Sequence, residues 1–369
     1  MKPRLEFHWC VPVAGDGFYL GLPAWEREAT LSYAVDIARM AEARGFSQLL
    51  FGMGFDHHTL EAWTLATAVL ALTTRIGAMV AVRPGFYSAP VLAKMAATLD
   101  HVSEGRLSLN VVTGGRPDEQ AMYGDYLDHD ARYRRTREFL EICRRLWSST
   151  EAFDYAGEFH TLKQTRLERL PLQRGGPRFY FGGASEAATQ VCSAFADTYL
   201  MWGEPKAEIA QRLRDMQRTV EAQGRTEHVR YGLRINIIAR PTATEARAAA
   251  REMLSRVSPE ALQKARRTEF PNTRRQSVGQ GRQWEFRGKA DDDWYLEPGF
   301  WAGVAVVRSG AGMALVGSYA EVAELLLGYV DLGITCFILS GYPHLEECDN
   351  VGAHVVPLVR EGHLRRYRS

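Results

Sequence analysis

Eight short apolar runs recur along this chain, separated by segments of helical period, and that alternation narrows the possible folds more than any other feature. The runs cover residues 6–13, 48–53, 75–82, 106–113, 178–183, 198–202, 230–239 and 336–341. Amphipathic segments lie between them, the first over 31–44 with Gly45 as its C-terminal stop, and others over 61–72, 89–101, 132–147 and 207–223, with two more beginning at Glu186 and Glu245. A strand buried on both faces of a parallel sheet reads as a continuous apolar run, as Phe337-Ile338-Leu339 does. Eight βα units within 369 residues predict an α/β fold, a closed (β/α)8 TIM barrel with insertions, formed as one domain over residues 1–369. An open, doubly wound sheet is the competing arrangement, but its glycine fingerprint is missing. His57 follows Gly52-Met53-Gly54, and Leu315 follows Gly310-Ala311-Gly312, where a third glycine is needed.

Three segments interrupt the alternation. Residues 115–131 and 151–177 read as insertions, the second opening with a hairpin around Gly157. Residues 258–300 are long, polar and charged, which in a compact barrel predicts a mobile lid or a solvated loop. With 45 basic and 44 acidic side chains, a net charge of +1 points to neither nucleic acid nor an anionic membrane as a partner. Five cysteines, an odd number with no C-x-x-C pair, suit a reducing cytoplasmic setting. The first ten residues lack a signal-peptide pattern, and no stretch approaches the roughly 20 apolar residues of a membrane helix.

Barrels of this kind place their chemistry at the C-terminal ends of the strands. Polar candidates there are His57, Asn110, Thr113, Trp202, Arg234, Asn236, Tyr342 and His344, with Arg308 beyond the polar insertion. Asp56, His57 and His58 lack a third ligand at a telling spacing, so no metal is expected. Gly183, Ala184 and Ser185 open a helix: the serine is either a plain N-cap or part of an anion site built on free backbone N–H groups. His129 and Tyr133, four residues apart, share a helical face and either bind a ligand or pack at the surface. Arg234 and Arg308, both placed at strand ends, face an anionic ligand or form internal salt bridges to Glu204 or Asp16.

Several segments resemble the bacterial luciferase-like flavin monooxygenases, and within them the alkanesulfonate monooxygenases. They are Gly15-Asp16-Gly17, the residues 96–100, Asn110 to Gly114, Leu127 through Tyr133, Tyr180 to Gly183, Trp202 to Pro205, Trp301-Ala302-Gly303, and the long runs 308–317 and 339–347. The resemblance spans nearly the whole chain in order. It implies reduced FMN (FMNH2) as cofactor, received from a separate NAD(P)H-dependent FMN reductase, O2 as co-substrate, and a homodimer or homotetramer. It assigns His129, Tyr133 and Gly183 to Ser185 to the FMN, Asn110 and Thr113 to the flavin ring, and Trp202, Arg234, Arg308, Tyr342 and His344 to the substrate side. The implied reaction is oxygenation of a small anionic substrate, a sulfonate cleaved to sulfite and an aldehyde. The family's pattern has a cysteine after strand two, where this chain reads Asp56-His57-His58, and a histidine two residues beyond the strand-seven arginine, where this chain has Asn236. Ala14 and Arg116 are further departures. The flavin half thus matches and the substrate half differs, which leaves two other functions open: hydroxylation of carbon or nitrogen in a non-sulfonate substrate, and flavin binding without catalysis.

Overall fold

The computed structural model describes residues 4–54, 59–267 and 277–366. Its strands are β1 (Glu6–Val11), β2 (Gln48–Phe51), β3 (Gly77–Val82), β4 (Leu107–Val111), β5 (Phe153–Ala156), β6 (Thr161–Thr165), β7 (Arg178–Phe181), β8 (Thr198–Trp202), β9 (Arg230–Arg240), β10 (Tyr295–Glu297), β11 (Phe300–Trp301), β12 (Ala314–Ser318) and β13 (Cys336–Ser340). Eight of them form a parallel ring, in the order β1-β2-β3-β4-β7-β8-β9-β13. The circuit closes where β13 pairs with β1, Cys336 opposite Glu6 and Leu339 opposite Trp9. All eight runs read from the sequence are strands of this barrel, and helices cover it between strands. Among the described residues no helix is long and apolar enough to cross a membrane.

Alternation along each strand divides two environments. Residues such as Phe7, Trp9, Leu49, Phe51 and Leu109 pack outward against the helices in the main apolar core. Cys10, Leu50, Met79, Tyr180, Cys336 and Ile338 face inward and fill the barrel. Below them Glu6 receives Arg230 at 2.8 Å, a charged floor. The parallel direction leaves the upper ends of β4, β8, β9 and β13 around a common mouth.

The insertions take definite forms. Residues 151–177 contain the antiparallel β5–β6 hairpin expected around Gly157. Within 115–131, a short helix Pro117–Met122 is tied down by Arg83 on Glu119 (2.9 Å) and Arg135 on Asp125 (2.6 Å). Of the polar segment 258–300, residues 268–276 lie outside the described residues; the rest forms helices Pro259–Arg266 and Val278–Lys289, then β10 and β11. The second helix is fastened to the barrel rim. Arg282 grips the carboxylate of Glu204 through two nitrogens (3.0 and 2.7 Å), and Gln283 donates to the Gly203 carbonyl and accepts from the Gly312 N–H.

One placement needs correction. Arg308 does not end a strand; it caps the short helix Val304–Val307. Val306-Val307 looks like strand sequence because β-branched residues favour strands. Here the Arg308 N–H returns to the Val304 carbonyl, and pairing resumes only at β12, which extends the upper half of β9.

His8 is wholly buried in the barrel, edge-on to Tyr180, with neither ring nitrogen hydrogen-bonded. Burial pushes its imidazole down from 6.5 to about 4. The native state therefore refuses a proton that the unfolded chain accepts below pH 6.5, so stability is lost as pH falls from there toward 4. The loss at pH 4.5 amounts to roughly 2 to 3 kcal/mol. Urea denaturation at pH 7.5 and 4.5 is expected to show a drop larger by that amount in the wild type than in His8→Leu. Equal drops would place the acid sensitivity elsewhere.

Candidate active site

Two helices open onto one side of the barrel mouth. Asp128 caps His129–Ser148 by accepting from the Ala131 N–H (2.8 Å), and Ser185 caps Glu186–Phe195 by accepting from the Ala188 N–H (3.2 Å). Between the two N-termini lies a cleft of about 510 Å³ whose lining includes His129, Asp130, Ser185, Glu186 and Val278. The positive ends of two helix dipoles thus face one space. Ser185 is an N-cap and a wall of this cleft at once, so its two sequence readings both hold. His129 and Tyr133 are also brought together, with ring centroids 5.0 Å apart, and Tyr133 stacks over Phe181 at 6.4 Å. Gly183 has no room for a side chain: a Cβ there would stand 2.4 Å from the Cβ of Ala188 and 3.1 Å from the Tyr133 hydroxyl. Thr113 is buried against Thr136, while Asn110 stays half-buried at the mouth.

Across the mouth lie the arginines. Arg308 is sandwiched between the rings of Trp25 (4.4 Å) and Tyr342 (4.2 Å). Both faces of its guanidinium are covered, so only its N–H edge is left for a ligand. Arg234 directs one nitrogen at Cys10 Sγ (3.6 Å), and its buried Nε has no partner. The salt-bridge alternative fails for both. Glu204 is taken by Arg212 and Arg282, and Asp16 by His344 and Tyr33. Neither guanidinium meets a carboxylate among the described residues, and a guanidinium in that state can take an anion from outside the chain.

The Asp16 carboxylate is wholly buried and accepts the His344 N–H (2.6 Å), His344 Nδ1 (2.8 Å), the Tyr33 hydroxyl and the Gly17 N–H (2.9 Å). Burial raises its pKa, but the charge and hydrogen bonds of His344, with Tyr33, outweigh this and hold it below the usual carboxylate range. His344 begins the helix that follows β13, and its ring meets Tyr342 edge-on at 4.9 Å. Asn236 differs from the other candidates. It is buried, donates to the Ala311 and Met313 carbonyls (both 2.9 Å) and accepts from Ser340 (2.7 Å). Its amide is consumed in clamping the loop after Arg308 onto β9. Trp202 is half-buried at the end of β8, against the first turn of the Val278–Lys289 helix at Gly279. His57 lies outside the described residues.

Sequence reasoning passed over Trp25, the clamp formed by Gln280 and Gln283, and Tyr33. Gly15 alone hinted at the first: its φ is +136°, and a Cβ there would meet the Trp25 ring at 2.3 Å. Gln280 and Gln283 sit in a polar helix whose contacts depend on docking, so no periodicity marks them.

A family model described as luciferase-like monooxygenase matches residues 5–336. Among solved structures, a riboflavin lyase with modified FMN and riboflavin is similar at 20% identity, covering 97% of this chain and 92% of that one with a TM-score of 0.77. The EDTA monooxygenase of Chelativorans sp. BNC1 follows at 16% identity, 97% and 94% coverage and a TM-score of 0.74. An F420-dependent secondary alcohol dehydrogenase has 17% identity, 97% and 99% coverage and a TM-score of 0.70. At these identities the structural likenesses establish the fold alone.

The Asn236 clamp is directly testable. Asn236→Asp at pH 8 replaces the donor of two buried hydrogen bonds by a charged acceptor facing two carbonyls. It is expected to cost at least about 3 kcal/mol in urea denaturation. An unchanged midpoint would show that the loop is held by other contacts.

Proposed function

The chain belongs to the luciferase-like monooxygenase family, and from that premise we propose that it uses reduced FMN and O2 to oxygenate a small anionic organic substrate. The observation that carries this reading is the pair of arginines at the barrel mouth, neither of which meets a carboxylate among the described residues. Arg308, stacked on both faces, presents a planar fork that suits two oxygens of a sulfonate or carboxylate. Within this reading the substrate is a sulfonate, cleaved to sulfite and an aldehyde.

The cleft at His129 and Ser185 fits the phosphate of FMN. Two capped helix N-termini converge there, and the missing side chain of Gly183 lets Ala188 and Tyr133 pack behind the turn. Tyr133 and His129 would hold the phosphate, and Asn110 and Thr113 would border the ring. Reduced FMN, delivered by a separate NAD(P)H-dependent reductase, supplies when bound the electrons that activate O2. The chain's own part is binding, orientation and exclusion of water. Trp25, Tyr342 and Trp202 wall the mouth with apolar rings, and the Val278–Lys289 helix, pinned by Arg282 to Glu204, roofs it. Asn110, Arg234 and Arg308 are among the polar groups that face in.

Ser185→Asp separates the cofactor cradle from simple helix capping. Aspartate caps a helix as well as serine does, so the fold is retained, but a carboxylate now joins Asp130 and Glu186 beside the phosphate. FMN affinity in a fluorescence titration is expected to fall about tenfold, and an unaltered affinity would remove the phosphate from this cleft.

The substrate reading is tested with a panel of sulfonates, carboxylates and neutral analogues, a flavin reductase, and measurements of O2 uptake and sulfite. Arg308→Ala is expected to lower coupled turnover roughly ten- to a hundredfold, since a hydrogen bond to a charged group contributes on the order of 1.5–3 kcal/mol. Arg308→Lys should recover only part of this, because an ammonium has no fork. Sulfite release identifies a sulfonate; oxygenation of an anion without sulfite identifies another class. Undiminished turnover in both Arg308→Ala and Arg234→Ala would sink the anionic-substrate reading.

A further inference from the structure

We propose that Asp16 is a positioning residue for His344: it holds the imidazole as the Nδ1–H tautomer and leaves Nε2 as an acceptor at the barrel mouth. The inference rests on the proposed oxygenation only for what Nε2 then does, which is to take a proton from the bound substrate. The tautomer itself stands on geometry.

Asp16 has no proton-donating role available to it. Each carboxylate oxygen already accepts two donors, the His344 N–H and Tyr33 hydroxyl on Oδ2, and His344 Nδ1 and the Gly17 N–H on Oδ1. An acceptor oxygen at 2.8 Å from Nδ1 requires the proton of a neutral imidazole to sit on Nδ1. Nε2 is then the lone-pair nitrogen. No hydrogen bond among the described residues engages it, and it is not sealed from solvent, so it is the ring nitrogen left accessible just beyond the end of β13. The ring cannot swing away, because the backbone N–H of His344 is bound to the same carboxylate.

The carboxylate is itself immobilised. The Asp16 backbone pairs with that of Arg27 in both directions (2.8 and 2.9 Å). Arg27 donates to the Tyr33 hydroxyl (2.7 Å) and forks onto Glu346 (2.7 and 3.2 Å), in the same helix that His344 starts. The loop between Asp16 and Arg27 carries Trp25, one wall of Arg308. One buried carboxylate therefore sets both the histidine and the aromatic stack beside the anion fork. When Nε2 takes a proton, the resulting imidazolium stays paired with Asp16, which stabilises the charge at a distance of one hydrogen bond.

The tautomer is read from two-bond proton–nitrogen correlations of 15N-histidine-labelled protein at pH 9, with the His344 signals identified by their loss in His344→Gln. The wild type is expected to show a protonated Nδ1 and an unprotonated Nε2. In Asp16→Asn each oxygen position has a backbone N–H aimed at it, from Gly17 at Oδ1 and from His344 at Oδ2, so the amide oxygen satisfies only one, and the amide carries no charge to pair with an imidazolium. The Nδ1–H state should no longer be held alone, and kcat should fall by about tenfold or more while FMN affinity is retained. Tyr33→Phe keeps the carboxylate and should keep both the tautomer and kcat within about threefold. A wild-type Nε2–H tautomer, or full kcat in Asp16→Asn, overturns the proposal; if Asp16→Asn does not fold, the wild-type spectrum decides alone. Absence of O2-dependent turnover with every anion would defeat the proposed function and leave the tautomer result standing.

Discussion

Closure of the sheet between β1 and β13 is the constraint on which everything else in this molecule depends. Those strands are separated by more than three hundred residues, yet their pairing turns eight parallel strands into a ring with one mouth. Parallel strands all end on the same side, so Asn110, Trp202, Arg234 and Ser340, scattered over the sequence, become neighbours at one rim. The helix N-termini that follow the strands point to that rim as well, which sets the polarity of the site before any side chain is considered.

Two buried carboxylates then decide which cations remain free. Glu204 takes Arg212 and Arg282 and so fastens the Val278–Lys289 helix to the end of β8. Asp16 takes His344 and Tyr33 and so fastens the loop after β1 to the helix after β13. Each is fully engaged at close range, and neither meets Arg234 or Arg308. The charge balance of the chain as a whole, +1, conceals this local division. In the proposed reading, anion recognition comes from the pairing of some charges and the stacking of others, since Arg308 is held by Trp25 and Tyr342.

Asn236 shows how a polar group at the mouth serves the frame: its amide holds two carbonyls and a hydroxyl. In the proposed reading, proton handling on the substrate side belongs to His344, held by Asp16 from the other flank of the barrel. The loop that carries Arg308 is correspondingly clamped from both sides, by Asn236 from the sheet and by Gln280 and Gln283 from the insertion helix.

The sequence by itself determined the barrel, its strand order and the turn that opens the Glu186–Phe195 helix. These depend on local patterns: apolar runs, helical period, and a Gly-Gly-Ala-Ser turn whose glycine and N-cap have only one steric and one capping solution. The hairpin at Gly157 was legible for the same reason. Only the tertiary structure decided the short helix before Arg308, the strands β10 to β12, the aromatic sandwich, and the partners of Asp16, Glu204 and Asn236. A buried charge or amide takes whichever complementary group the fold brings within about 3 Å, and residues 16, 33, 236 and 344 share no spacing that a chain could record. Val304 to Val307 read as strand because its β-branching is local information, whereas its hydrogen bonds were assigned by the docking of Ala302, Gly312 and the insertion helix around it.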